Sequence, residues 1–190
     1  MKDKKLKVST WIINILLMIL NLVVVIYNIS NAKLDRIVIA ILLYPTMFLP
    51  YLLDKTKYRI SYKYKLFYSI FMFLTYFLGS IINLYDVISW YDLFCHFLSG
   101  IFTLIIAYHI LNKTKYKNID GITKFIYCIG FVSFLAVSWE IIEFTVDNLF
   151  NMNTQHNWDS GVVDTMGDMI AGLIGGVVGY IFLKSEDFYD

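Results

Sequence analysis

The chain has 190 residues, of which 58% are hydrophobic and only 16% charged, and its net charge is +1. Soluble domains carry roughly 25% charged residues, so this composition, with a mean hydropathy of +0.63, excludes a single water-soluble core and makes lipid the natural solvent. The charge balance gives no overall attraction to nucleic acid. The two cysteines, Cys95 and Cys128, lie in apolar stretches without CxxC spacing, which argues for buried structural thiols over a disulfide framework or zinc ribbon.

A membrane-crossing helix needs about 20 mainly apolar residues to span about 30 Å of hydrocarbon. Six stretches qualify in chain order: residues 11–27, 37–53, 66–84, 91–111, 122–146 and 162–183. They predict an all-α fold, a single polytopic bundle of six transmembrane helices over residues 1–190. The first has the basic start of a signal peptide (Lys2, Lys4, Lys5, Lys7), and Ser30-Asn31-Ala32 resembles a cleavage site. Its apolar run is longer than the roughly 7–15 residues of such signals, which favours a retained helix. Pro45 and Pro50 fall in the second stretch, where a missing backbone donor is expected to kink the helix or end it early.

Orientation follows from the sixteen Lys and Arg residues, because cytoplasmic loops are enriched in them. Alternate compartments hold fourteen and two. Lys33 and Arg36 are alone on their side, whereas Lys55, Lys57, Arg59, Lys63 and Lys65 follow the second stretch. Both termini are then expected in the cytoplasm, and the connection 147–161 faces outward. That connection is polar around Asn153, Gln155, His156 and Asp159 but also carries Trp158. It is expected to fold back over the helix ends as a lid.

Ionisable groups within spans cost about 2.5–3.5 kcal/mol at a helix centre, so each one is informative. The fourth stretch opens with Asp92 and His96, one turn apart, and Ser99 and Thr103 continue that stripe. The fifth carries Glu140, Glu143 and Asp147 on one arc, and the sixth carries Asp164 and Asp168, again one turn apart. In the topology above all seven ionisable groups fall toward the outer face, with Glu140 deepest, about 10 Å below Asp147 at helical rise. Six carboxylates and one imidazole at a common level in a low dielectric cannot all stay ionised without protons, a basic partner or a cation.

A divalent cation is the economical answer. Oxygen ligands favour Mg²⁺, Mn²⁺ or Ca²⁺, and an imidazole also admits Zn²⁺ or Fe²⁺. Glu140, Glu143, Asp164 and Asp168 are the candidate metal ligands, with His96 as ligand or general base and Asp92 orienting it. Asp147 and Asp159 read as solvated helix-end acids, and His109 as an interfacial residue. In the last stretch Ala171 and Gly175 continue the face of Asp164 and Asp168, and Gly172–Gly176 and Gly175–Gly179 are GxxxG pairs. Such small residues let helices approach closely in lipid. They serve packing against the fourth and fifth helices or, as a competing use, pairing of two copies into a homo-oligomer.

Three ordered segments carry a resemblance: Asp92-Leu-Phe-Cys-His96-Phe-Leu-Ser-Gly100, Ser138-Trp-Glu140-Ile-Ile-Glu143-Phe, and Asp164-Thr-Met-Gly-Asp168-Met with Ala171 and Gly175. Together they resemble the YjdF-like family of bacterial inner-membrane proteins over residues 65–183, and more distantly VanZ-like membrane proteins. Asn153-Thr154-Gln155 is similar to a Gly-Thr-Gln segment of that family, with Asn in place of Gly. The resemblance implies a shared helical fold in the bacterial cytoplasmic membrane and supplies no reaction.

Three functions compete. The first is a metal-dependent enzyme acting on a lipid headgroup or envelope precursor at the outer face. The second is a transporter of a cation or proton, using polar groups such as Ser99, Thr103 and Ser133 as a path. The third is a non-catalytic membrane assembly partner in which the acids secure helix packing. Membrane lipid is the expected partner in each.

Overall fold

Backbone amides facing hydrocarbon must be paired within their own segment, which leaves the helix as the local solution for long apolar runs. The computed structural model describes residues 2–30, 41, 44–150, 155 and 162–185, and its regular elements there are all helical. Five of the described helices are long and apolar enough to cross a membrane: Lys4–Tyr27, Tyr62–Ile81, Tyr91–Asn112, Gly121–Leu149 and Val162–Leu183. Their outer surfaces are apolar, with Ile12, Ile19, Val23, Phe134, Ile141, Ile174 and Phe182 exposed, as suits a lipid solvent. Of the expected stretch 37–53, residues 41 and 44–53 are described; from 44 on they form short helical turns broken at Phe48 rather than one long helix, and a sixth crossing is not among the described helices.

The chain forms two compact units, Met1–Tyr91 and Asp92–Asp190. In the first, helix α1 (Lys2–Ser30) packs against helix α3 (Tyr62–Met72), which continues in wider π-helical turns over Phe73–Ile81. One face of α1 is polar and buried: Thr10, Asn14 and Asn21 sit with Leu17 at a spacing of four, three and four residues, the repeat that keeps one helical face. The Thr10 hydroxyl donates to the Leu6 carbonyl at 2.8 Å, and the Asn14 amide donates to the Tyr51 hydroxyl at 3.0 Å.

Tyr51 stands on helix α2 (Leu49–Leu52), a single turn with Pro50 in its first positions, where a missing N–H does no harm. A 3₁₀ turn at Leu53–Lys55 follows and presents Asp54. Asp54 pairs with Lys65 of α3, whose side chain is fully buried. The Lys65 ammonium also lies 4.2 Å from the Tyr51 ring centre and 4.9 Å from that of Tyr62. Asn83, at φ 75, makes the left-handed turn into helix α4 (Leu84–Val87), a conformation that its short polar side chain tolerates. The Tyr85 ring then occupies the space where Gly79 lacks a Cβ.

The second unit comprises helices α5 (Tyr91–Asn112), α6 (Gly121–Phe150) and α7 (Val162–Ser185). Its apolar core is Leu104, Ala107, Cys128, Val132 and Leu183, with Tyr108, Ile129 and Tyr180 packed against it. Both cysteines are buried. Asp120 heads α6, accepting the amides of Ile122 and Thr123 at 3.0 Å each, and so satisfies two of the helix's first unpaired donors. The Tyr180 hydroxyl donates to the Gly121 carbonyl at 3.0 Å, tying α7 to the start of α6.

The glycines of α7 face the other helices of their own unit. A Cβ on Gly100 would overlap the Gly172 carbonyl, and one on Gly175 would overlap the Phe97 carbonyl. A Cβ on Gly176 would stand 3.1 Å from the Val132 side chain of α6, and one on Gly179 would stand 3.0 Å from the Leu104 side chain of α5. Backbones of α5 and α7 therefore meet directly, as small residues permit in lipid.

Candidate functional site

The glycine crossing decides which ionisable groups meet. His96 lies one turn before Gly100 on α5, and Asp168 lies one turn before Gly172 on α7. Contact between the two glycines therefore brings the preceding turns, with their side chains, side by side. Asp92 adds a second carboxylate one turn further along α5.

The result is a three-residue group. One ligand atom each from Asp92, His96 and Asp168 lies within 4.8 Å of the others. His96 Nε2 is 3.5 Å from Asp92 Oδ1 and 3.9 Å from Asp168 Oδ2. Side-chain exposure falls from 23% at Asp92 through 11% at His96 to 3% at Asp168, so the group opens on the Asp92 side. The spacing is close enough to share one ion and too wide for strong direct hydrogen bonds.

Glu140, Glu143 and Asp164 are placed around this group but do not enter it. Glu140 on α6 is buried, and neither of its carboxylate oxygens has a hydrogen-bond partner among the described residues. Asp164 Oδ2 and Asp168 Oδ1 are likewise buried and unpartnered there. Glu143 is half-buried and accepts the Trp139 indole N–H at 2.7 Å, one turn back on the same helix. No Lys or Arg pairs with Glu140, Asp164 or Asp168 among the described residues. Ser99 donates to the His96 carbonyl at 2.7 Å, and Ser133 to the Ile129 carbonyl at 2.9 Å. Both hydroxyl protons are thus turned back on their own helices.

Gln155, in the connection expected to fold back over the helix ends, joins these surroundings. It is buried, its backbone N–H donates to Asp147 Oδ2 at 3.0 Å, and its side-chain amide donates to the Glu140 carbonyl at 3.3 Å and the Thr165 hydroxyl at 3.4 Å. Gln155 thereby links the last turns of α6 to the first turn of α7. The Trp139–Glu143 spacing of four residues was a readable signal for the indole contact. Gln155 carried no such periodic signal. The rest of the expected lid, with His156, Trp158 and Asp159, lies outside the described residues, as do Lys33 and Arg36.

No curated protein matches the chain at a significant level, and no solved structure does. A family profile does match, over residues 12–185, and its description is a predicted membrane protein. That range takes in nearly the whole chain, including every helix of the second unit and each acid named above. The chain belongs to the DUF2238 family of predicted membrane proteins.

Proposed function

We propose that Asp92, His96 and Asp168 hold a divalent cation near the outer face of a six-span membrane protein, where it serves hydrolysis of a lipid headgroup or envelope precursor. The observation that carries this reading is the convergence of three ligand atoms within 4.8 Å on two helices that cross at glycines. Ligands about 2.0–2.2 Å from a tetrahedral ion lie roughly 3.4 Å from each other. The separations of 3.5 and 3.9 Å around His96 need only a small inward adjustment to reach that. Two carboxylates balance a divalent charge, and three protein ligands leave a coordination position open, the arrangement of catalytic rather than structural sites.

A cation there would polarise a phosphoryl or acyl oxygen and activate water. On this reading Asp92 and His96 are ligands beside Asp168, and the exposed Asp92 side is where a substrate headgroup approaches. The fourteen-to-two division of basic residues supports an outer location and both termini in the cytoplasm. The ordered motifs at Asp92–Gly100, Ser138–Phe144 and Asp164–Met169 support placement among YjdF-like proteins of the bacterial cytoplasmic membrane.

The test is metal analysis of the detergent-purified protein beside Asp168→Ala, followed by release of headgroups from phospholipid vesicles with and without chelator. Wild type should retain a divalent cation and release headgroup in a chelator-sensitive way, and Asp168→Ala should do neither. A wild-type protein free of cation, or an Asp168→Ala variant with undiminished release, overturns the reading. Cation flux across vesicles without hydrolysis would mark an ion path instead.

A further inference from the structure

One end of the first unit gathers basic side chains from two separate stretches of chain. Lys4, Lys5 and Lys7 lie on the opening turns of α1, and Lys55, Lys57 and Arg59 lie on the 3₁₀ turn and the loop after it. Contacts at the start of α3 hold the two groups together. The Thr10 hydroxyl reaches the Tyr62 carbonyl at 3.4 Å, and the Lys7 ammonium is 5.8 Å from the Tyr62 ring centre. The pairing of Asp54 with Lys65 fastens the 3₁₀ turn to α3. Between them the Arg59 amide donates to the Thr56 carbonyl at 3.3 Å and the Lys65 amide to the Ser61 carbonyl at 3.2 Å, which keeps the loop tight.

All six of these basic residues are exposed, and none forms an ion pair with a carboxylate among the described residues. Asp54 offers them little, since Lys65 already takes it. Trp11 marks the depth at which they stand. It is exposed, lies one turn from Lys7 on α1, and its ring centre is 5.3 Å from that of Tyr51. Trp and Tyr settle at the headgroup level of a bilayer. At helical rise Lys7 and Lys4 are about 6–10 Å beyond Trp11, in the layer of the lipid phosphates. Leu49 and Leu52, just before the loop, are exposed and apolar, as suits contact with acyl chains below that layer.

We propose that this end of the first unit is a binding surface for anionic phospholipid, with Lys4, Lys5, Lys7, Lys55, Lys57 and Arg59 holding headgroup phosphates. Clusters of this size at the end of a span attract anionic lipid by about fivefold per basic residue near the surface. Arg59 can grip a phosphate through two parallel N–H donors, while the lysines act as point charges. A zwitterionic lipid brings its own cation and has less to gain. A free phosphate has no acyl chain to lie against Trp11, Leu49 and Leu52. The surface is independent of the cation site in the second unit.

The experiment exposes delipidated full-length protein in detergent to equal amounts of phosphatidylglycerol and phosphatidylcholine and counts retained lipids by native mass spectrometry. Wild type should retain phosphatidylglycerol several-fold over phosphatidylcholine, with the preference shrinking as salt rises. The triple variant Lys55→Gln, Lys57→Gln, Arg59→Gln should lose most of that preference. A control with Lys113→Gln, Lys115→Gln and Lys117→Gln, which neutralises the basic loop of the second unit, should keep it. Inorganic phosphate at the same concentration should not displace the lipid. Equal retention of the two lipids by wild type overturns the proposal, as does an undiminished preference in the triple variant. Equal loss in the control would reduce the effect to overall charge, and displacement by inorganic phosphate would make the ligand a free anion; either result also overturns it. Should the triple variant fail to fold, Lys4→Gln with Lys5→Gln carries the same expectation from α1.

Discussion

In the first unit Lys65 is buried with Asp54 as its ion partner and the rings of Tyr51 and Tyr62 against its ammonium. In the second, Glu140 and Asp168 are buried to a similar depth, and no Lys or Arg stands beside either among the described residues. Both arrangements take charge out of water, which costs several kcal/mol per ion after relaxation. The first recovers the cost inside the chain, through an opposite charge and aromatic faces. The second shows no such partner among the described residues, and acids there stay ionised only with a basic partner or a cation, or else take up protons. Burial of charge is thus informative in proportion to how little the fold does to neutralise it.

The largest effect is expected where the neutralisation is internal. Asp54→Ala leaves the Lys65 ammonium buried without its carboxylate, and losing one partner of a buried pair costs about 3–5 kcal/mol. Lys65→Met should cost less, because Asp54 is 32% exposed and keeps some water. Unfolding of the detergent-solubilised variants by a denaturing detergent measures both. Wild-type stability in Asp54→Ala would mean that the tyrosine rings alone hold the ammonium, and the contrast between the units would blur.

Next in size is the response to added cation. A ligand at about a hundred times its dissociation constant stabilises the state that binds it by about 2.7 kcal/mol. Mn²⁺ should raise the thermal midpoint of wild type and leave Asp168→Asn unmoved. In chelator the order should reverse, with Asp168→Asn at least as stable as wild type, since it removes a buried charge that has no counterpart. A wild-type melt indifferent to Mn²⁺ breaks the comparison at its second half.

Which of these features could be read from the sequence depends on how far each rests on tertiary contact. Helical membrane character was legible, because composition and run length alone decide the solvent. The acids and His96 were also legible, since an ionisable group in an apolar run is conspicuous one residue at a time. What each does was not. Glu140 and Glu143 share an arc, yet three residues leave them about 60° apart on a helix; one is unpartnered and the other accepts the Trp139 indole. Lys65 was counted with the loop charges, and nothing in its spacing shows Asp54 and two tyrosines closing around it. The polar face of α1 at Thr10, Asn14 and Asn21 had the right period, but a strongly apolar background concealed it. The meeting of His96 with Asp168 depends on a backbone crossing, which no single helix encodes.

That crossing gives the third prediction. Gly100→Ala puts a methyl group into the Gly172 carbonyl, and Gly175→Ala does so at the Phe97 carbonyl. Overpacking typically costs about 1–3 kcal/mol, and here the obstacle is backbone, so the helices have to separate. Separation draws His96 away from Asp168. Both variants should therefore lose Mn²⁺ affinity as well as stability, whereas Gly130→Ala, where a Cβ meets nothing within 4 Å, should lose neither. Loss of stability with Mn²⁺ affinity intact would show that the crossing supports the fold without setting the site.

The smallest effect concerns a carboxylate of a third kind, exposed and neutralised only by its neighbours in sequence. Asp120 caps α6, and its pKa is held below the ordinary 3.8, first by the Thr123 hydroxyl, which donates at 2.5 Å, and then by the Thr123 and Ile122 amides. A carboxyl whose folded pKa is depressed stabilises the fold above its unfolded pKa, and that contribution disappears as pH falls through the lower folded value. Asp120→Asn keeps an oxygen acceptor for the helix amides but loses the charge that favours the positive end of the helix. Wild type should therefore melt slightly above Asp120→Asn near neutral pH, and the two midpoints should converge as pH drops below 3.8. The buried acids of the second unit are untouched by this substitution, so a pH-independent gap between the two proteins would assign the difference to shape at the cap and remove charge from its explanation.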